Sequence, residues 1–310
     1  MPAEKSGKTK VLITGGSGLV GMHLTSLLLE EGYTVAHLSR RQDQFGKVRV
    51  YRWDPAKGIL DPSILDGVDH IVHLAGAGIG DGRWSHKRRE EIIKSREDPA
   101  RLIHSVVTEN NLPVKSFVSA SGAGYYGMTT SEKIFTEEDP PGSDFLSQVC
   151  RRWEDAADLF EHSGIRTVKI RTSLVLDMEN PALKKLLLSS SLGFIAAVGS
   201  GRQYMPWIHI RDLSGIYLKS ITDTSLYGAV NASAPDHVTH DKFMKVLSGV
   251  TGKYLAPFNL PSAVLSALYG EMAGVVLKGS RISSGKITGS GFSFRYGRLE
   301  EALRDVVADR

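Results

Sequence analysis

Glycines at positions 15, 18 and 21 stand directly behind an apolar run, in Lys10-Val-Leu-Ile-Thr-Gly-Gly-Ser-Gly-Leu-Val-Gly21. At this spacing each has its own task. Gly15 lets the chain turn sharply, Gly18 lets backbone approach a ligand phosphate, and Gly21 lets the following helix pack on its strand. The helix then aims its free N–H groups and positive dipole end at an anion. The chemistry implied is the grip on a dinucleotide, with Gly15, Ser17, Gly18, Leu19 and Val20 around its phosphates. Hydroxyls form a second group: Ser121 closes the run Phe117-Val-Ser-Ala-Ser121, and Tyr125 and Tyr126 follow inside Gly122-Ala-Gly-Tyr-Tyr-Gly127. Hydroxyls at the carboxyl end of a central strand sit where open α/β sheets hold their ligands, so these three are expected nearest a nicotinamide. A glycine-rich turn with packed tyrosines is the alternative.

The next strand, Thr34 to Ser39, decides between cofactors. An NAD site has an acidic residue near this strand's end to accept the ribose hydroxyls. Here the strand ends in Ser39-Arg40-Arg41. Two guanidiniums suit a dianionic 2′-phosphate, which predicts NADP(H) rather than NAD(H).

Further candidates follow along the chain. Trp53 and Asp54 end a third strand, beside the adenine, where they either stack on and hydrogen-bond the base or form a packed tryptophan and an Asp turn. Leu74, Ala75 and Gly76 close a fourth strand with small residues, as needed where backbone passes the cofactor. Arg83 and Trp84, in the loop Gly80-Asp-Gly-Arg-Trp84, suit an anionic or ring-shaped substrate, unless the tryptophan tucks over its own loop. Glu91 and Ser95 share one face of the helix that Ser85 caps, with Arg96 beside them; that face meets either the cofactor or solvent. Val175, late in the sixth strand, completes the expected cofactor contacts. Trp207 and His209 lie in the aromatic patch Gln203-Tyr-Met-Pro-Trp-Ile-His-Ile-Arg-Asp212. No metal is expected: His70 and His73, three apart on a strand, point to opposite faces. Cys150 has no metal-ligand spacing around it and reads as helix packing.

The elements that must position these groups alternate strand and helix. Strands are expected at 10–14, 34–39, 48–53, 70–74, 116–121 and 166–176, with a return near 229–232. Helices follow Gly18, run from Ser85 with Pro99 kinking or dividing them, and span 143–162 with Ser143 as cap. Leu146, Val149, Trp153 and Phe160 form the buried stripe of the last. This order gives an α/β fold, a Rossmann-like doubly wound parallel sheet. Residues 10–176, with the returning strand, form the nucleotide-binding domain. Residues 177–310 form a smaller, mostly helical substrate lobe, with helices at 181–191, 241–250, 262–277 and 298–307.

Composition excludes other classes. With 310 residues and 41% hydrophobic content the chain has an ample core. It has no apolar run long enough for a membrane and no signal-peptide core in Met1 to Thr9, so a cytoplasmic location is expected. One cysteine leaves no internal disulfide, and a net charge of +4 without a basic block supports no nucleic-acid partner.

Thr14-Gly-Gly-Ser-Gly-Leu-Val-Gly21, His73-Leu-Ala-Gly76, the Ser-rich fifth strand and Trp207-Ile-His-Ile-Arg-Asp212 together resemble the extended short-chain dehydrogenase/reductase superfamily. Arg83-Trp84, Ser95-Arg96, Gly124-Tyr-Tyr-Gly127, Cys150-Arg-Arg-Trp-Glu154, Pro206-Trp-Ile-His-Ile210 and Gly291-Phe-Ser-Phe-Arg-Tyr296 are similar to its NAD-dependent epimerase branch, sometimes described as cell-division inhibitors. The resemblance implies NADP(H) at the switch point of the sheet, a small carbonyl, alcohol or sugar-nucleotide-like substrate, and a homodimer. The superfamily's Tyr-x-x-x-Lys, in which lysine lowers the tyrosine pKa for proton exchange, is absent. Its region reads Asp144-Phe-Leu-Ser-Gln-Val-Cys-Arg-Arg-Trp-Glu154, so the pair becomes Phe145 with Val149 or Leu146 with Cys150. Two functions are therefore expected. In the first, an atypical oxidoreductase or epimerase uses Ser121 to orient the reacting oxygen and Tyr125 as acid/base, with Arg83, Trp84, Trp207 and His209 on the substrate side. In the second, a catalytically silent NADP(H)-binding protein reports redox state to a partner.

Overall fold

The computed structural model of the chain describes residues 8–41, 46, 48–186 and 194–308. In β1 (Lys10–Thr14) the pleat sends Val11 and Ile13 to one side and Leu12 to the other. After α1 (Leu19–Glu30), the same division runs through β2 (Thr34–Ser39), with Val35 on the first side and Ala36 and Leu38 on the second. β3 (Arg49–Arg52) follows, then β4 (His70–His73), α2 (His86–Glu109) and β5 (Ser116–Gly122). Here Val72 and Val118 keep to the first side, Ile71 and Phe117 to the second. Strands apolar on both faces need helices on both faces, and a parallel sheet supplies them.

Next come β6 (Ile134–Phe135), α3 (Phe145–His162), β7 (Arg166–Thr172) and β8 (Leu174–Leu176). The chain continues through α4 (Pro181–Leu186), β9 (Phe194–Ile195), β10 (Trp207–His209), α5 (Ile210–Thr222) and β11 (Gly228–Ala232). The central sheet is seven-stranded and parallel throughout, in the order β11-β7-β5-β4-β1-β2-β3. From β1 the chain winds outward through β2 and β3, then returns to β4 on β1's other side. The ends of β1 and β4 thus flank the switch point, where such sheets open a crevice.

The remaining elements are α6 (His240–Thr251), β12 (Tyr254–Leu255), α7 (Ser262–Tyr269), α8 (Gly274–Leu277), β13 (Arg281–Ile282), α9 (Gly285–Gly289) and α10 (Leu299–Ala308). Parallel pairs β8–β10, β9–β12 and β6–β13 join them to the rest. A separate core of Leu176, Trp207, Phe243, Leu247 and Leu303 lies among them. The buried Asp212 carboxylate fastens the C-terminal run to the start of α5, accepting from the N–H groups of Arg295 at 2.8 Å and Tyr296 at 2.9 Å. Among the described residues no helix is long and apolar enough to cross a membrane.

Several local expectations change. The sixth strand is broken at Ser173, whose N–H donates to Ala232 O at 3.0 Å, so Leu174–Leu176 leaves the sheet to pair with β10. Pro99 does not divide α2, which continues to Glu109 with the proline buried. Asp144, not Ser143, caps α3, accepting from Ser147 N at 3.1 Å. The helix expected over 262–277 is interrupted at Gly270, where φ is +59°. Of the helix at 181–191, residues 187–191 lie outside the described residues, as do residues 1–7 of the polar lead. α5 is absent from the sequence reading. Its Leu213, Ile216 and Tyr217 pack with Val11, Leu24 and Leu28 in the core of the central sheet, though the helix lies within 177–310.

Five histidines are buried: His37, His70, His73, His209 and His240. Burial, the leading cause at each, pulls every one down to about 4. The unfolded chain, with histidines near 6.5, therefore binds more protons between these values. Their contribution is complete above about pH 6.5 and is lost as the pH falls toward 4, roughly 2 kcal/mol per histidine at pH 5. Melting temperatures measured from pH 7 to pH 5 should fall steeply; a flat profile contradicts this reading.

Candidate functional site

The glycine turn is built by close backbone approach. Gly15 has φ of +70°, and a Cβ there would lie 2.9 Å from Ala75 N and Leu74 C. A Cβ on Gly21 would lie 2.5 Å from Gly15 O. Gly16, outside the expected spacing, is just as constrained: its Cβ would meet the His37 ring at 2.5 Å. Gly18 is the N-cap of α1 and no side chain caps the helix, which leaves the first-turn N–H groups of Leu19 and Val20 for a ligand. Ser17 is exposed at the turn.

Across the switch point, the Thr14 hydroxyl accepts from the N–H groups of Leu74 and Ala75, both at 3.2 Å. Its own proton then points to His73 Nδ1 at 2.8 Å, which leaves His73 Nε2–H to donate to Arg96 O at 3.0 Å. Ser95 Oγ accepts from Ala77 N at 2.9 Å, and Arg96 packs beneath Gly76. Leu74, Ala75, Gly76, Ser95 and Arg96 therefore come together with Gly15. Glu91 does not join them: it is exposed and paired with Arg88 at 2.7 Å. Arg40 and Arg41 stand exposed past β2, with Arg41 N donating to Ser39 Oγ at 3.2 Å and no ion pair among the described residues.

Four aromatic or imidazole candidates prove to be core. Trp53 is 3% exposed, packed with Leu12, Leu38 and Leu65, so its ring face is not open to a base; Asp54 beside it stays partly exposed. Trp84 is buried against Phe145 at 4.9 Å between ring centres and donates to Ile79 O at 3.0 Å, tucked over its own loop. Trp207 is fully buried and donates to Asp236 O at 3.0 Å. His209, 1% exposed, caps α5 by accepting from Arg211 N at 3.1 Å, stacks on Tyr296 and faces Asp305. None of Trp84, Trp207 and His209 presents its side chain to a substrate. Arg83 is tied to the end of α7, donating to Ala267 O at 2.5 Å and Leu268 O at 2.9 Å. Val175 lies in the apolar core beside Ile208 and Val230.

Past β5 the hydroxyls separate. Ser121 Oγ donates to Glu154 Oε1 at 2.7 Å. Glu154 also accepts from Arg171, Oε1 from Nε and Oε2 from Nη2, each at 2.9 Å. Arg171 Nη1 donates to Tyr126 Oη at 3.0 Å, and Tyr126 donates onward to Asn231 Oδ1 at 2.6 Å. Burial raises the Tyr126 phenol to about 12 against the opposing pull of Arg171. Tyr125 is different: its ring lies 3.4 Å from Arg171 Cζ, and its hydroxyl bonds to none of the described residues. Of the residues in the two registers for the missing Tyr/Lys pair, Leu146 and Cys150 lie against Gly124. Both face the turn after β5, since a Cβ on Gly124 would meet Leu146 Cβ at 3.3 Å and Cys150 Sγ at 3.7 Å. The Cys150 thiol is pushed up to about 12 by burial and stays neutral, so it cannot replace the lysine. Glu154, Arg171 and Asn231 were missed by sequence reading, being brought together from α3, β7 and the more distant β11.

Comparison with known proteins matches residues 11–232 to the NAD dependent epimerase/dehydratase family and residues 260–306 to a domain of unknown function, DUF1731. Epimerase family protein ML0860 of Mycobacterium leprae is 33% identical over 97% of this chain and 96% of its own length. The crystal structure of human epimerase family protein SDR39U1 (isoform 2) with NADPH superposes with a TM-score of 0.85 at 30% identity, covering 97% of this chain and all of that one. A nucleoside-diphosphate sugar epimerase from Corynebacterium glutamicum gives a TM-score of 0.77 at 30% identity, over 97% of this chain and 58% of that chain.

Removing one partner of a buried ion pair leaves the other charged and desolvated, at a cost of about 3–5 kcal/mol. Arg171→Met should therefore lower unfolding free energy in urea by that order and lower it more than the double change Arg171→Met with Glu154→Leu. Equal losses would mean that the pair is not energetically coupled.

Proposed function

The chain belongs to the NAD dependent epimerase/dehydratase family, and on that premise we propose that it is an NADP(H)-binding oxidoreductase or epimerase. Its substrate is a small carbonyl or alcohol, or a sugar-nucleotide-like molecule. The observation that carries the reading is the cradle at the switch point. Gly15 is held against Leu74 and Ala75 with no room for a side chain, α1 starts uncapped beside it, and Arg40 and Arg41 stand exposed past β2 with no ion pair among the described residues. These residues fit a dinucleotide with a 2′-phosphate. The NADPH in the human relative's crystal structure supports the same choice.

In this reading Ser17, Gly18, Leu19 and Val20 hold the pyrophosphate, and Leu74 to Gly76 pass beneath the nicotinamide half, with Ser95 fixing Ala77 behind them. The bound nicotinamide supplies hydride transfer. Tyr125 moves the proton at its free hydroxyl, held over Arg171 by cation–π contact. Ser121, bonded to Glu154, positions the turn and has its proton engaged, so it accepts rather than donates toward a substrate. A second reading, a silent NADP(H)-dependent reporter, is favoured by the lack of a tyrosine and lysine pair in either register of α3.

Titration with NADPH and NADH in parallel should show NADPH bound about 10–100-fold more tightly, the worth of one or two charge-assisted contacts. Arg40→Ala with Arg41→Ala should bring the two close to parity; equal affinities in the wild type remove the NADP(H) assignment. Nicotinamide absorbance followed with a panel of carbonyls and nucleotide sugars should show turnover that Tyr125→Phe lowers by about 10²–10⁴. Tight NADPH binding without turnover, joined to a partner affinity that differs between NADP⁺ and NADPH, would favour the reporter.

A further inference from the structure

Arg171 shows how this chain satisfies a buried guanidinium, with Nε and Nη2 on the two oxygens of Glu154. This edge of an arginine presents parallel N–H groups that match a carboxylate. Arg96 is buried to a similar degree, at 6% exposure, but no carboxylate among the described residues pairs with it. Its Nη1 donates to Ile92 O at 2.9 Å and reaches Ser95 Oγ at 3.4 Å. Nε is buried without an acceptor, and Nη2 donates to none of the described residues. The Trp153 ring, 4.8 Å from Cζ, occupies the flat face of the guanidinium and not this edge.

The position is specific. A Cβ on Gly76 would lie 2.9 Å from Arg96 Cζ and 3.2 Å from Nε, so the guanidinium sits directly under the loop after β4. The guanidinium of Arg88 repels it, and the neutral thiol of Cys150 faces the turn after β5 nearby. Burial draws the guanidinium down to about 10, which still leaves it a cation at neutral pH. An unpaired buried cation costs several kcal/mol. A chain that keeps one between its nicotinamide-side loops holds it ready for an anion that arrives.

We propose that the Nε–Nη2 edge of Arg96 binds a carboxylate of the substrate at the nicotinamide end of the crevice. The inference rests on the cofactor reading above and adds the substrate class: a carbonyl or alcohol compound bearing a carboxylate. The phosphates of the dinucleotide belong to the glycine turn after β1, whereas the Arg96 guanidinium lies between Gly76 and Trp153 of α3.

The test uses the full chain saturated with NADP⁺ and titrated calorimetrically with malonate, or with inorganic phosphate, beside Arg96→Met and Arg96→Lys. Malonate should bind the wild type, lose at least about tenfold in Arg96→Met, and lose several-fold in Arg96→Lys, which keeps charge and stacking but not the fork. In both variants the loss of malonate affinity should exceed any change in NADPH affinity, which is read beside it. No malonate binding to the wild type, an unchanged affinity in Arg96→Met, or phosphate bound more tightly than malonate overturns the proposal. A parallel loss of NADPH affinity in Arg96→Met also overturns it, by giving the edge to the cofactor. If Arg96→Met does not fold, Arg96→Lys decides by the same comparison. A wild type that binds no NADPH fails the cofactor reading separately.

Discussion

The crevice depends on one hydroxyl. Thr14 ends β1, and its oxygen takes the N–H groups of Leu74 and Ala75 where β4 ends, while its proton goes to His73. Without that bridge, two strand ends whose following chains depart in opposite directions would have nothing to hold them in register beyond their last ladder bond. The bridge also transmits position. His73 passes the constraint to the backbone of Arg96, so the glycine turn, the loop after β4 and the middle of α2 are set by a single chain of hydrogen bonds. Thr14 and His73 at its centre are fully buried, and hydrogen bonds in low dielectric are costly to leave unmade. The arrangement is therefore close to all-or-none.

A different polar network serves the other half. Ser121, Glu154, Arg171, Tyr126 and Asn231 link β5, α3, β7 and β11. The network consumes hydroxyls that would otherwise be free for chemistry. Ser121 and Tyr126 are spent within it, and Tyr125 is left as the one tyrosine of the turn with an open hydroxyl. The two halves differ in kind: one side grips with backbone and glycine, the other with a buried ion pair whose edges all have partners.

Local signals made part of this legible in the sequence. The glycine spacing, the Ser39-Arg40-Arg41 ending and most of the alternating strands depend on neighbours in the chain. Gly15 adopts a positive φ with Leu74 and Ala75 against it, and Arg40 and Arg41 are exposed. The errors have a common physical source. Tryptophan and histidine carry both a polar tip and a large apolar body, so composition alone cannot tell a binding face from a core contact; Trp53, Trp84, Trp207 and His209 all went to the core. The Glu154–Arg171 pair joins a helix to a strand and leaves no periodic trace. The break at Ser173 is imposed by Ala232, almost sixty residues away, and no propensity at 166–176 foretells it. α5 leaves little trace in the sequence because its apolar positions begin inside the aromatic and polar run Gln203 to Asp212.

Cys150, finally, gives the molecule a built-in chemical timer. It is the only thiol in 310 residues, it lies at the contact between α3 and the turn after β5, and its neutral, shielded state makes it unreactive while that contact holds. Alkylation or oxidation must wait for α3 to part from the sheet, so the rate at which this sulfur is modified counts openings of the crevice wall. An oxidant would accordingly record how often the fold breathes.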